Sequence, residues 1–203
     1  GYLSEQKWPH AKISGAEVSS IWTQDSELSA RIAKASCIEH ISSTLVELES
    51  RVDAVLLARD DAENHLHFAR QFLLAGKPVY IDKPIALSTK ALHELYDLQQ
   101  YSGQIFTCSA LSYSAEFRLS PEDRSELGYI TSVSASTPKS WEKYAVHIIE
   151  PVLKMINPNE PVIEANVSID TNESRTLSVR WGNDVRATFS TLGNILSPVQ
   201  IKL

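Results

Sequence analysis

The 203-residue sequence predicts an α/β protein: a doubly wound parallel sheet followed by an α+β domain with a mostly antiparallel open sheet. Three observations predict it. Short apolar runs alternate with amphipathic stretches through about residue 109, the rhythm of right-handed βαβ crossovers. The run from Val52 to Ala58 is almost continuously apolar, as expected of a strand buried on both faces of a parallel sheet. Beyond residue 110 the segments alternate in polarity and are separated by turn residues, so 1–109 and 110–203 read as two domains.

Taken in order, Glu17 to Trp22 alternates as a strand, and Asp25 or Ser26 caps a helix over 27–35 with Leu28, Ile32 and Ala35 on one stripe. A short strand at 38–41, a helix at 44–49 and the strand at 52–58 follow. Leu66, Ala69, Phe72 and Leu73 define a helix over 62–75, and Gly76 stands where a helix end favours glycine. The strand at 78–81 leads to a helix over 89–101 capped by Ser88 and ended by Gly103, then to a strand at 104–108. In the second half Ser120 caps a short helix over 121–126 with Pro121 at its first position. A strand over 128–136 and a helix near 147–156 precede strands at 162–169, 175–181, 184–191 and 198–203. Asn172, Gly182-Asn183 and Gly193-Asn194 mark the turns between them, Gly182-Asn183 with hairpin chemistry.

Composition narrows the function. With 43% hydrophobic and 22% charged residues the chain is ordinary globular protein, and a net charge of −6 with scattered cations gives a nucleic acid little to hold. No apolar run reaches the ~20 residues of a membrane helix, and the N-terminal residues lack a secretory pattern, so no membrane partner and a cytoplasmic location are expected. Cys37 and Cys108 lack metal-ligand spacing and read as buried thiols, with no metal site.

Chemistry concentrates after the strand at 78–81. Ligands of open α/β sheets sit outside the carboxyl ends of the strands, and Asp82-Lys83-Pro84 leaves that end. Pro84 disfavours helical geometry at Lys83 and so fixes where its side chain starts. An ammonium held there polarises a carbonyl or exchanges a proton with a hydroxyl.

The stretch VDAVLLARDDAENHLHFARQFLLAGKPVYIDKPIA resembles the Gfo/Idh/MocA oxidoreductases, with Asp82-Lys83-Pro84 similar to the family's Glu-Lys-Pro and His65 at the family's distance from Gly76-Lys77. The resemblance spans roughly 15–160. It implies a Rossmann-like fold and transfer of a hydride between NAD or NADP and a sugar, polyol or related small hydroxylated substrate. WEKYAVHIIEPVLKMI is similar to the family's second signature, a histidine opening a helix in the second domain. Pro151 belongs in a first helical turn, so the helix should start near Val146 or His147, where the helix end disfavours imidazolium and keeps the ring able to accept a proton. The resemblance then implies that Lys83 and His147 handle the substrate hydroxyl proton, with Tyr144 assisting and Lys143 contacting substrate.

Departures matter as much. Lys143 stands where many members carry aspartate, and Glu150 replaces a second aspartate three residues after the histidine. The family's opening strand and Gly-x-Gly-x-x-Gly turn have no counterpart, residues 2–14 read as the end of the helix that follows that turn, and the natural polypeptide is therefore expected to extend beyond both ends. The usual strand order would set the opening strand between 17–22 and 52–58. Thr23 falls where an acid bonds the adenosine ribose of NAD, which leaves NADP permitted, and Arg59 and Asp60 replace the usual threonine and proline beside the nicotinamide. With these, His65, Asp82, Lys83 and Pro84 complete the implied cofactor contacts. The open second sheet implies a homodimer or homotetramer. The rival reading is a catalytically silent homologue that binds a sugar or nucleotide or serves as a scaffold; a flavodoxin-like receiver fails on the antiparallel second half.

Overall fold

The computed structural model describes residues 14–169 and 174–203; the expected helix end at 2–13 and the turn at Asn172 lie outside them. The first half contains β1 (Ser20–Ile21), α1 (Ser26–Ser36), β2 (His40–Ile41), α2 (Leu45–Arg51), β3 (Val55–Leu57), α3 (His65–Leu74), β4 (Val79–Ile81), α4 (Thr89–Asp97) and β5 (Ile105–Phe106). All strand pairing here is parallel: β1 with β2, and β3 with β4 with β5. No described strand joins β1 to β3, yet Trp22 after β1 packs on the β3–β4 core and lies 6.0 Å from the Phe68 ring, so the two pieces share one carboxyl edge.

Local chemistry explains each element. The Asp25 carboxylate accepts the Glu27 and Leu28 amides at the start of α1, and the Thr44 and Ser88 hydroxyls do the same for α2 and α4. Gly76, at φ +74°, follows α3 in the left-handed region that glycine enters at no cost. Val79 and Ile81 of β4 are buried against Phe72 and Leu73 of α3 and Leu95 of α4, and each such side chain contributes ~1.5–3 kcal/mol when withdrawn from water.

Several expectations change. The strand at 52–58 is not buried on both faces: Val55 and Leu57 face α3, whereas Leu56 is 67% exposed. The helices α3 and α4 supply the core on one face only. Strands 17–22, 38–41 and 104–108 contract to two residues each. The helix expected over 62–75 opens as a 3₁₀ turn at Ala62–Asn64, and that over 89–101 ends at Asp97. Cys37 is exposed rather than buried, since it is the left-handed residue that terminates α1, at φ 54°; Cys108 is half-buried.

The second half holds α5 (Pro121–Leu127), β6 (Ser132–Thr137), α6 (Trp141–Tyr144), α7 (Val146–Ile156), β7 (Val162–Ile169), β8 (Ser174–Trp181), β9 (Arg186–Leu192) and β10 (Gln200–Lys202). Ser120 and Asp123 form a reciprocal capping box on α5. The sheet order is β10-β6-β9-β8-β7, antiparallel except for β6 beside β9, a pairing that joins strands fifty residues apart and leaves no local trace in sequence. The β8–β9 turn runs through Gly182-Asn183 as expected, with Asp184 taking the left-handed conformation at φ 61°. The strand expected over 128–136 begins at Ser132, and α6 is an unexpected single turn ahead of α7.

One stripe of α7, Ile148 and Val152, packs on Val133, Ala135, Ala187 and Phe189 of the sheet. His147 and Glu150, three residues apart, share a different face of the same helix, turned toward the residues that follow β5. The sheet therefore sets the angle at which α7 offers His147 to the first domain.

Candidate active site

The site is built where the carboxyl ends of β3, β4 and β5 meet α7. Lys83 lies two residues beyond β4 and is followed by a cis Lys83-Pro84 peptide; its ammonium lies 3.6 Å from the Asp82 carboxylate and its side chain is 23% exposed. Ser109 follows β5 and is fully buried. Its Oγ lies 2.7 Å from His147 Nδ1, and its backbone N–H donates to Glu150 Oε2 at 2.5 Å. Glu150 is held a second time by the Lys154 ammonium at 2.9 Å. Burial pushes the Glu150 carboxyl up, but the Ser109 amide and Lys154 outweigh it and keep the group ionised below its ordinary range.

His147 is half-buried, and its pKa lies below the ordinary histidine value first because of desolvation and then because of the Lys83 charge. The cause differs from the one expected. A helix end was to keep the ring neutral, yet α6 precedes α7 directly, with Ala145 accepting the Ile148 and Ile149 amides, so the ring is neutral by burial and by its lysine neighbour. Lys83 thus lies near enough for its charge to bear on the imidazole. Tyr144 meets His147 edge-on at 5.4 Å between ring centres, and its hydroxyl accepts from Lys139 Nζ at 2.5 Å while that ammonium lies over the ring.

The remaining candidates form a rim. Lys143 Nζ donates to Asp60 Oδ2 at 2.9 Å, an exposed ion pair that joins residues of the two halves and lowers the Asp60 pKa. Arg59 grips Asp61 through two nitrogens, donates a third bond to Gln24 at 3.0 Å, and lies 4.0 Å over the Phe68 ring. His65 is buried beneath, its ring nitrogens 3.0 Å from the Arg59 carbonyl and 3.2 Å from that of Ile85, so it ties the loop after β3 to the loop after β4.

Thr23 lies apart from Lys83 and His147, at the ends of β1 and β2. Its N–H and Oγ1 both bond Ser29 Oγ, and it lines a hollow of about 500 Å³ with Trp22, Gln24, Ser42 and Ser43. This lining is hydroxyl-rich and carries no acid, which fits the nucleoside end of a dinucleotide with or without a 2′-phosphate. Arg59 reaches Gln24, next to Thr23, through space; no sequence neighbour of Thr23 shows that cation. Among the described residues no group of histidine, cysteine and acids is placed to hold a metal.

Residues 1–109 match the sequence profile of an oxidoreductase family with an NAD-binding Rossmann fold, Gfo/Idh/MocA. The chain belongs to this family. No curated protein matches the sequence. Among solved structures, the chain is similar to UDP-N-acetylglucosamine 3-dehydrogenase from Acidithiobacillus ferrooxidans, with 15% identity, a TM-score of 0.68, and coverage of 90% of this chain and 64% of that one. A putative myo-inositol dehydrogenase from Sinorhizobium meliloti shares 14% identity at a TM-score of 0.70, covering 93% and 66%. Apo scyllo-inositol dehydrogenase from Lactobacillus casei shares 13% at 0.74, covering 94% and 65%. At these identities the likeness is one of fold, and the chain spans just under two thirds of each relative's length. This Gfo/Idh/MocA chain combines a parallel sheet with a mostly antiparallel one, and no described helix is long and apolar enough to cross a membrane.

Proposed function

We propose that this protein is an NAD- or NADP-dependent dehydrogenase that moves a hydride between the nicotinamide and a carbinol or carbonyl carbon of a sugar, inositol or related polyol. The observation that carries the reading is that Lys83, at the carboxyl end of β4, lies close enough to His147 on α7 for its charge to depress the imidazole. Two proton-handling groups of different elements then face one oxygen. Residues 1–109 form the dinucleotide-binding domain and 110–203 the substrate and assembly domain.

Thr23 and its hydroxyl-lined hollow would hold the adenosine end, and Arg59, Asp60, His65, Asp82, Lys83 and Pro84 surround or support the path to the nicotinamide. Bound nicotinamide supplies or accepts the hydride. The protein's own residues do the rest. In the direction of reduction the Lys83 ammonium polarises the substrate carbonyl and delivers a proton to its oxygen as the carbon gains the hydride. His147 holds the same oxygen, and Tyr144 backs the imidazole while its hydroxyl stays on Lys139. Lys143, already paired with Asp60, would contact an anionic or hydroxyl substituent of the substrate.

The hydroxyl-bearing side chains of Ser132, Ser134 and Ser136 on β6 and of Thr188 and Ser190 on β9 line the sheet face opposite the α7-covered core, and this face is the surface proposed for a homodimer or homotetramer. The protein would work in the cytoplasm. The test is a panel of inositols, aldoses and UDP-linked amino sugars with NAD and NADP, run beside Lys83→Ala. Reduction of either cofactor that is lost in Lys83→Ala supports the reading. Cofactor binding without turnover on any member of the panel would replace it with the silent-homologue reading.

A further inference from the structure

The hydroxyl of Ser109 decides which nitrogen of His147 carries the proton. Ser109 is 0% exposed, so its Oγ–H cannot fall back on water. Among the described residues two groups lie within bonding distance of that oxygen: the backbone N–H of Leu111 at 3.3 Å and His147 Nδ1 at 2.7 Å. The Leu111 amide is a donor, so Oγ accepts from it. Nδ1 is then the acceptor placed to take the hydroxyl proton. If Nδ1 carried its own hydrogen, Oγ would accept twice and its O–H would be buried without a partner, a loss that exceeds the net worth of one hydrogen bond.

The serine itself is fixed. Its backbone N–H is clamped by Glu150 from the same face of α7 that carries His147, and Glu150 is clamped in turn by Lys154. The charged and titratable groups around the ring are Lys83 and Asp82 from the end of β4, Glu150 from α7 itself and Tyr144 from α6. Among the described residues no carboxylate bonds either ring nitrogen; the charges of Asp82 and Glu150 favour an imidazolium, but burial and Lys83 outweigh them. Nε2 has no hydrogen-bond partner among the described residues.

We infer that Ser109 is a positioning residue that holds His147 as the neutral Nε2–H tautomer, so that His147 donates a hydrogen bond to the substrate oxygen and leaves proton exchange there to Lys83. The inference rests on the reading of Lys83 and His147 as the pair that meets the substrate, and it divides their labour. In reduction, the Lys83 N–H bond breaks as the O–H bond of the product alcohol forms, and the lysine recovers its proton from solvent. The imidazole keeps its Nε2–H throughout. It steadies the oxygen without changing its own charge.

The experiment is a two-bond proton–nitrogen correlation spectrum of the protein labelled with ¹⁵N-histidine at pH 7.5, His147 being identified as the signal missing from His147→Gln. The expected pattern is that of Nε2–H. In Ser109→Ala it gives way to a mixture of tautomers, and in Ser109→Thr, which restores a hydroxyl, it returns. Turnover should fall about tenfold in Ser109→Ala, the weight of one hydrogen bond, and recover in Ser109→Thr. An Nδ1–H or doubly protonated His147 in the native protein, or an unaltered pattern in Ser109→Ala, overturns the inference. The spectrum needs no substrate. An Nε2–H pattern in a protein without dehydrogenase activity would defeat the proposed function and not the tautomer, whereas an Nδ1–H pattern in an active dehydrogenase would do the reverse.

Discussion

The inner and outer parts of the candidate site are held in different ways. On the inner side, Ser109 is buried and makes bonds to His147 and Glu150, both on a helix fixed against its own sheet through Ile148 and Val152. On the rim, Lys143 meets Asp60 with half or more of each side chain in solvent. Both join the two halves of the molecule. The buried set has no water to compete with it, so losing a member leaves an unpaired polar group, whereas the rim pair exchanges one partner for water at little cost. Geometry for chemistry is therefore expected from the inner side, and selectivity for what enters from the rim.

The comparison breaks most readily at Lys83. Lys83→Ala should lower kcat/KM by about 10²–10⁴-fold, the usual contribution of one positioned acid or base. The melting temperature should hardly move, because the ammonium's ion pair is with adjacent Asp82 at 3.6 Å. A loss of stability in step with the loss of rate would turn Lys83 into a structural residue.

Next in size is His65, which belongs to the inner side although it faces no cleft. His65→Ala removes a fully buried ring and leaves the Arg59 and Ile85 carbonyls facing a void, at a cost of about 2–4 kcal/mol in denaturant unfolding. An effect confined to cofactor affinity, with unchanged stability, would instead make it a binding residue.

A smaller effect comes from pH. Because burial and Lys83 lower the His147 pKa, the unfolded chain binds a proton there at higher pH than the folded one does. The contribution to stability is then at its best above about pH 6.5, the unfolded value, and declines as the pH falls from there through the folded pKa. Unfolding midpoints compared at pH 7.5 and 5.5 should show this decline, and His147→Gln should flatten that part of it. Activity should hold to a lower pH than an ordinary histidine would allow, for the same reason.

The smallest expected effect is on the rim. Lys143→Ala or Asp60→Asn should leave the unfolding midpoint within measurement error, because the pair is exposed and screened by salt. The KM for an anionic substrate should rise in Lys143→Ala more than that for a neutral one. Equal changes would make Lys143 a bystander.

How far this was legible in sequence depends on range. β4 and Lys83 could be placed because an apolar strand, a cap glycine and a proline all lie within a dozen residues of each other. The α7 start falls where expected, at Val146, but Pro151 lies inside the helix rather than in its first turn, so the premise for that start does not hold. Leu56 could not be placed, since an apolar run does not tell which face is covered, and the core formed by α3 and α4 lies on one face of β3. The cause of the His147 shift was misjudged for want of α6, four residues with no distinctive periodicity. Ser109 carries no signal at all: a lone serine after a strand becomes informative only when α7, some forty residues on, folds over it. The contact of Arg59 with Gln24 likewise appears only when the residues that follow β1 and β3 come together in the fold.

The most direct measurement is the binding of NADH and NADPH, titrated in parallel by nicotinamide fluorescence against the protein at its natural length. A saturable rise with at least one of them, retained in Lys83→Ala while turnover is lost, is the result predicted for a dinucleotide site whose lysine serves chemistry rather than binding. No saturable signal with either would contradict the account at its centre.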